Sequence, residues 1–177
     1  ADKNTDGSRF NILSAVISFS TAVKAEQNHI KTVGIITPYA AQVRLIRAML
    51  KDYYTKGTTN VSCATVHQFQ GSESDVIVFD AVESYPKSAV GYLMGKEPNQ
   101  VARLINVAIT RGKGKVITVA NAKFWENVFK GTNHIFYKLL QHIKNGKHQV
   151  IDNHDKTLQP YIESVNPGRM INIFMNE

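Results

Sequence analysis

One cysteine, Cys63, stands among 177 residues. No disulfide can form within the chain, and no metal site can be built on cysteine thiolates. A reducing, cytoplasmic setting fits that scarcity. Long apolar runs are missing too. Nothing approaches the roughly 20 consecutive apolar residues of a bilayer-spanning helix, so no membrane partner is expected. No basic-then-apolar leader opens the chain. It starts at Ala1, without methionine, on a polar lead to Ser8, as a segment cut from a longer protein or a processed chain would. Internal repeats and low-complexity tracts are absent.

What remains is ordinary globular composition with a basic excess. Hydrophobic residues make up 43%, enough for a sizeable core, and the length fits one domain. Lys and Arg outnumber Asp and Glu by 21 to 14, a net charge of +7. That favours an anionic partner, nucleic acid ahead of an acidic membrane surface. A basic protein with no such partner would carry the same charge.

Periodicity gives alternating helices and strands. Phe10–Lys24 reads as a helix with Ser8 as N-cap and Leu13, Val16, Ile17 and Val23 at helical spacing. Val33–Thr37 is a short apolar run of the kind buried on both faces of a sheet. Pro38 opens a turn into a helix where Val43, Ile46 and Leu50 share a face. Further strands are predicted at 61–66, 75–82 and 115–120, and helices at 99–109, 123–130 and 135–144. The tail from Gly146 is weakly patterned, with a possible strand at 170–175. This rhythm implies a mainly parallel sheet covered on both faces, an α/β/α architecture. Ligands in such sheets sit beyond the carboxyl ends of the strands.

Three polar segments border those strands. Thr37-Pro38-Tyr39-Ala40-Ala41-Gln42-Val43-Arg44 offers an amide and a guanidinium at a helix start. An exposed helix face would look the same. In the second, 64–75, Gly71 permits a tight turn. Thr65, His67 and Gln70 suit sugar and phosphate oxygens there, and Glu73 could accept from ribose hydroxyls. His67 could equally be structural, and Asp75 reads as a strand-entry cap. The third, 103–115, ends a helix at Thr110-Arg111 and continues into a Gly-rich loop, Gly112-Lys113-Gly114-Lys115. A solvated basic turn is the plain alternative.

In order and spacing these segments resemble motifs IV, V and VI of superfamily 1 helicases, in the senataxin and up-frameshift branch that also holds coronavirus-type helicases. The resemblance rests on Ile36–Gln42, Thr65–Ile77 and Arg103–Arg111 and spans roughly 8–125. It implies a three-layer RecA-like domain, the second motor domain of an ATP-dependent DNA or RNA helicase, over 1–146. Residues 147–177 would be an extension packed on it. Arg111 would be the arginine finger. Some relatives carry a second γ-phosphate Arg directly after the motif IV Gln. Here that position is Val43, so either Arg44 or Arg47 would replace it or the second finger would be absent. Gln42, Gln70, Gly71 and Glu73 would meet the nucleotide. Thr65, His67, Thr37 and Pro38 would face single-stranded nucleic acid. His67 stands where many relatives have Asp, and Gly112 where they have Ala.

The chain has no Gly-x-x-x-x-Gly-Lys-Thr and no Asp-Glu pair after a strand. ATP and Mg²⁺ would therefore be held mainly by an N-terminal RecA-like domain of the same polypeptide. The fragment alone would be inactive. The competing expectations are a non-catalytic RecA-like binding module, and a doubly wound small-molecule enzyme. The last predicts a self-contained pocket, where the helicase reading predicts one open polar face.

Overall fold

Apolar residues that alternate along each strand sort themselves onto two faces, and each face gathers its own helices. In the computed structural model the described residues are 8–55, 57–95 and 97–146, with the strand segments 2–3, 149–152 and 171–174. In chain order they form β1 (Asp2–Lys3), β2 (Arg9–Phe10), α1 (Ile12–Gln27), β3 (Val33–Thr37), α2 (Ala40–Tyr53), β4 (Val61–Thr65) and β5 (Ser74–Asp80). There follow α3 (Tyr92–Gly95), α4 (Pro98–Thr110), β6 (Gly112–Ala120), α5 (Ala122–Phe129), α6 (Ile135–Asn145), β7 (Gln149–Asp152) and β8 (Ile171–Phe174). Six strands make one sheet in the order β4-β3-β5-β6-β8-β7, and every pair in it is parallel.

On one face Val33, Ile35, Val76, Val78, Ile117 and Val119 pack under α1 and α2. On the other, Ile36, Ile77, Phe79 and Val116 pack under α4, α5 and α6. This is the three-layer α/β/α arrangement expected for a RecA-like domain. The inward sets of α2 (Val43, Ile46, Leu50) and α4 (Val101, Leu104, Ile105, Ala108) are those the spacing picks out. Asp75 does cap strand entry: its Oδ2 accepts from the Thr32 amide at 3.1 Å and the Thr32 hydroxyl at 2.9 Å.

Three local expectations are corrected. The cap of α1 is Asn11, whose side chain accepts from the Ser14 amide; Ser8 instead accepts from the Ala41 amide at 3.1 Å, serving the start of α2. On α1, Leu13 and Val16 are exposed while Ser14, Ser18 and Thr21 are buried. And Gly112–Lys115 is no loop. It is the first part of β6, with a bulge where Ser74 pairs Gly112 and Val76 pairs Lys115. Bulges of this kind redirect neighbouring side chains.

Candidate functional site

The parallel sheet has a carboxyl edge, where Thr37 pairs Thr65, and an amino edge, where Ser74 pairs Gly112. β5 spans the gap with seven residues, about 20 Å at strand rise. The rule that ligands sit beyond the carboxyl ends therefore singles out only part of this polar sequence. The first sits at the carboxyl edge under α2, the third at the amino edge, and the second runs between.

In the first segment burial rules out most ligand contact. Thr37 is fully buried and Pro38 is buried, so neither side chain faces nucleic acid as expected. Gln42 is also fully buried. Its Oε1 accepts from the Asn11 amide at 2.9 Å; its Nε2 donates to Asn11 O at 3.1 Å, Ser14 Oγ at 3.0 Å and Asp80 Oδ2 at 2.7 Å. An amide with those partners has nothing left to offer a nucleotide. Asp80 is fully buried too, and burial pushes its carboxyl up to about 6 against the opposing hydrogen bonds from Gln42 and Ser14. The same carboxylate accepts from the Val82 amide, and Asn11 Nδ2 donates to Val82 O, which together hold Val82 at φ 65°, a conformation β-branched residues avoid.

Arg44 is exposed on α2, and Arg47 Nε donates to Cys63 O at 2.8 Å. Both ride on the α1/α2 layer, whereas Arg111 ends α4 on the other. The sheet lies between them, so the expectation of Arg44 or Arg47 beside Arg111 on one phosphate is corrected.

The second segment is built around Phe69. A Cβ on Gly34 would lie 2.6 Å from Phe69 Cζ, so the bare glycine of β3 lets the ring settle on the sheet and pin the turn. Thr65 Oγ1 accepts from the Gln68 amide at 3.3 Å, and Gln68 Oε1 accepts from the Thr65 amide at 3.4 Å. His67, Gln70 and Gly71 are left exposed. Gly71 has φ +89°, with open space where a Cβ would go, so the need for glycine is conformational and not steric.

The turn delivers Glu73 to the amino edge, where its carboxylate meets Lys113 Nζ at 3.4 Å. Next to it, the Ser74 amide donates to Arg111 O at 3.0 Å. Arg111 is the half-buried residue that closes α4, and among the described residues its buried Nε has no hydrogen-bond partner. A buried donor without an acceptor calls for an explanation.

Between the turn and α4 runs a groove of about 510 Å³. Val66, Leu104 and Val107 form its apolar floor. His67 and Gln70 stand on one wall, and Gln100, Arg103 and Asn106 on the other. Sequence reasoning placed Arg103 and Asn106 inside a motif but gave them no part, and passed over Gln100. The signal was there: these three fall at three-residue spacing on one flank of α4, beside the groove-facing Leu104 and Val107. The second and third segments thus share one open face, and the first does not join it. Among the described residues, no group of three or more His, Cys, Asp or Glu side chains gathers to hold a metal ion, and no helix is long and apolar enough to cross a membrane.

Comparison with known proteins bears on the family. A family model described as an AAA domain matches residues 3–123, more than half of the chain. Helicase sen1 of Schizosaccharomyces pombe is 36% identical over 90 residues, 50% of this chain and 5% of that protein. DNA polymerase alpha-associated DNA helicase A of Saccharomyces cerevisiae is 38% identical over 90 residues, 51% of this chain and 12% of that protein. The regulator of nonsense transcripts 1 homolog of Drosophila melanogaster is 35% identical over 108 residues, 57% of this chain and 8% of that protein. The chain spans only a small part of the length of the relatives it matches. With this match, these relatives and the α/β/α sheet in place, the chain belongs to the superfamily 1 helicases, in the senataxin and up-frameshift branch.

Proposed function

We propose that this chain is the second RecA-like motor domain of an ATP-dependent helicase that moves along single-stranded DNA or RNA, with 1–146 as its main body and β7 and β8 of the remainder extending the same sheet. The observation that carries the reading is Arg111. Its backbone is fixed by the Ser74 amide, and its buried Nε lacks a partner. A guanidinium held ready in this way suits the charge that builds on a phosphoryl group in flight. Glu73, one residue from the Ser74 bond, is the group for ribose hydroxyls. Thr65 and His67 are the contacts to the strand, with Gln70 and Gly71 linking the two ends of the turn.

Among the described residues at the amino edge, Arg111 is the guanidinium on offer, while the Glu73 carboxylate is paired with Lys113 and the Asp75 carboxylate is bonded to Thr32. Mg²⁺ prefers several oxygen ligands in octahedral array, which these residues do not supply. The phosphate cradle and the metal ligands therefore belong to an N-terminal RecA-like domain of the same polypeptide. A cytoplasmic location is part of the same reading, in keeping with a single buried thiol.

The test is nucleic-acid-stimulated ATPase of the full-length protein. Arg111→Ala should lower kcat by about 10³ or more while nucleotide affinity holds. Near-normal turnover would remove Arg111 from the reaction. The chain by itself should bind ATP poorly in calorimetry, and micromolar affinity would show that the cradle lies here after all.

A further inference from the structure

The groove beside α4 has a composition that the finger and the ribose contact leave unexplained. Its floor is apolar and its rim is almost wholly uncharged amide and imidazole, with Arg103 the one formal cation. Among the described residues, the side chains of His67, Gln70, Gln100, Arg103 and Asn106 make no hydrogen bond or ion pair. Their neighbours differ in this respect: Gln68 is bonded to Thr65 and Glu73 to Lys113. Five unengaged polar groups around an apolar floor describe a slot for a flat heteroaromatic ring with polar edges. The volume, about 510 Å³, admits a nucleobase with its sugar and leaves room for water.

We infer that this groove holds one base of the bound single strand, with Arg103 on the adjoining phosphate; the inference rests on the strand-binding function proposed above. Amides at Gln70, Gln100 and Asn106 each present a donor and an acceptor, so they can satisfy the edge of any base. That tolerance is what a motor indifferent to sequence requires. The apolar floor takes the ring face.

A base next to a phosphate could also come from the nucleotide, and the position of Arg103 separates the two sources. Arg103 and Arg111 lie eight residues apart on or at the end of α4, about 12 Å along the axis. A nucleotide with its terminal phosphate on Arg111 and its base in the groove would leave Arg103 beside the base, far from any phosphate. A strand carries a phosphate at every base and so serves both the slot and the guanidinium.

The experiment uses the full-length protein and a fluorescent single-stranded oligonucleotide, with one abasic site moved stepwise along it. Wild type should show one position where losing the base weakens binding, by about tenfold, the worth of burying one ring face against apolar side chains. Gln100→Trp, at an exposed rim position, plugs the slot and should erase that position-specific penalty. Arg103→Ala should weaken binding to every oligonucleotide and reduce the salt slope by about 1. Thermal melts of both variants check the fold. A flat abasic profile in wild type, with strand binding intact, overturns the slot. So does a penalty that survives Gln100→Trp. If Gln100→Trp raises KM for ATP and leaves strand affinity unchanged, the base belongs to the nucleotide, and the strand assignment falls. If wild type binds no strand at all, the proposed function itself falls.

Discussion

Gln42→Ala discriminates sharply between a ligand contact and a structural clamp. The change strips the Asn11 amide of its acceptor and removes a donor from Asp80 Oδ2, both in a fully closed interior. Asn11 O and Ser14 Oγ each lose one partner as well. A buried polar group left without a partner costs about 1–3 kcal/mol, and a carboxylate stands at the upper end. Two such losses, with a small cavity, give about 3–5 kcal/mol. Domains of this size hold about 5–15 kcal/mol in total, so the variant should sit near the limit of folding. Urea denaturation followed by circular dichroism measures it directly, as a lower midpoint at unchanged slope. Gln42→Glu should be worse still at neutral pH, because it sets a second carboxylate against Asp80. A loss under about 1 kcal/mol for Gln42→Ala, together with a raised KM for ATP in the full-length protein, would refute the clamp and restore the nucleotide contact.

Asp80 yields a pH dependence whose sign follows from its environment. Burial disfavours the charged form and pushes its folded-state carboxyl up to about 6, above the ordinary 3.8. The folded state therefore holds the proton more tightly, and the contribution to stability is greatest at low pH and is lost as pH rises through about 6. The difference in unfolding free energy between wild type and Asp80→Asn should move against wild type by about 2–3 kcal/mol between pH 4 and 7; a difference that stays constant would show the carboxyl is not perturbed. Gly71→Ala should destabilise by about 1–2 kcal/mol, the penalty of a left-handed conformation, with Gly71→Asn milder. Equal stability for the alanine variant would mean that the turn relaxes to another conformation.

Strand and helix order was legible because each strand is a short apolar run and because α2 and α4 keep one face apolar. α1 was misread because its inward side carries Ser14, Ser18 and Thr21. Ser14 and Ser18 face a buried carboxylate that arrives from β5, some sixty positions away, and no local pattern announces it. The Ser8 cap failed for a similar reason, since the Ala41 amide it serves is distant in sequence. Motif order placed Glu73 and Arg111 in one neighbourhood correctly, but could not tell which edge of the sheet they occupy. That depends on pairing between Ser74 and Gly112. Gln42 and Arg44 were assigned from their polarity and from the resemblance of their segment to motif IV. Polarity cannot separate an amide that serves a ligand from one that ties three chain segments together.

Gly34 and Phe69 lie on different elements, yet they share one volume. Any side chain at position 34 would enter the space that the ring fills. Variation at these two positions must therefore be correlated: a larger residue in β3 is admissible only with a smaller one in the turn. The turn carries His67 and Gln70, so drift at a buried glycine with no chemistry of its own would surface as altered grip on the strand.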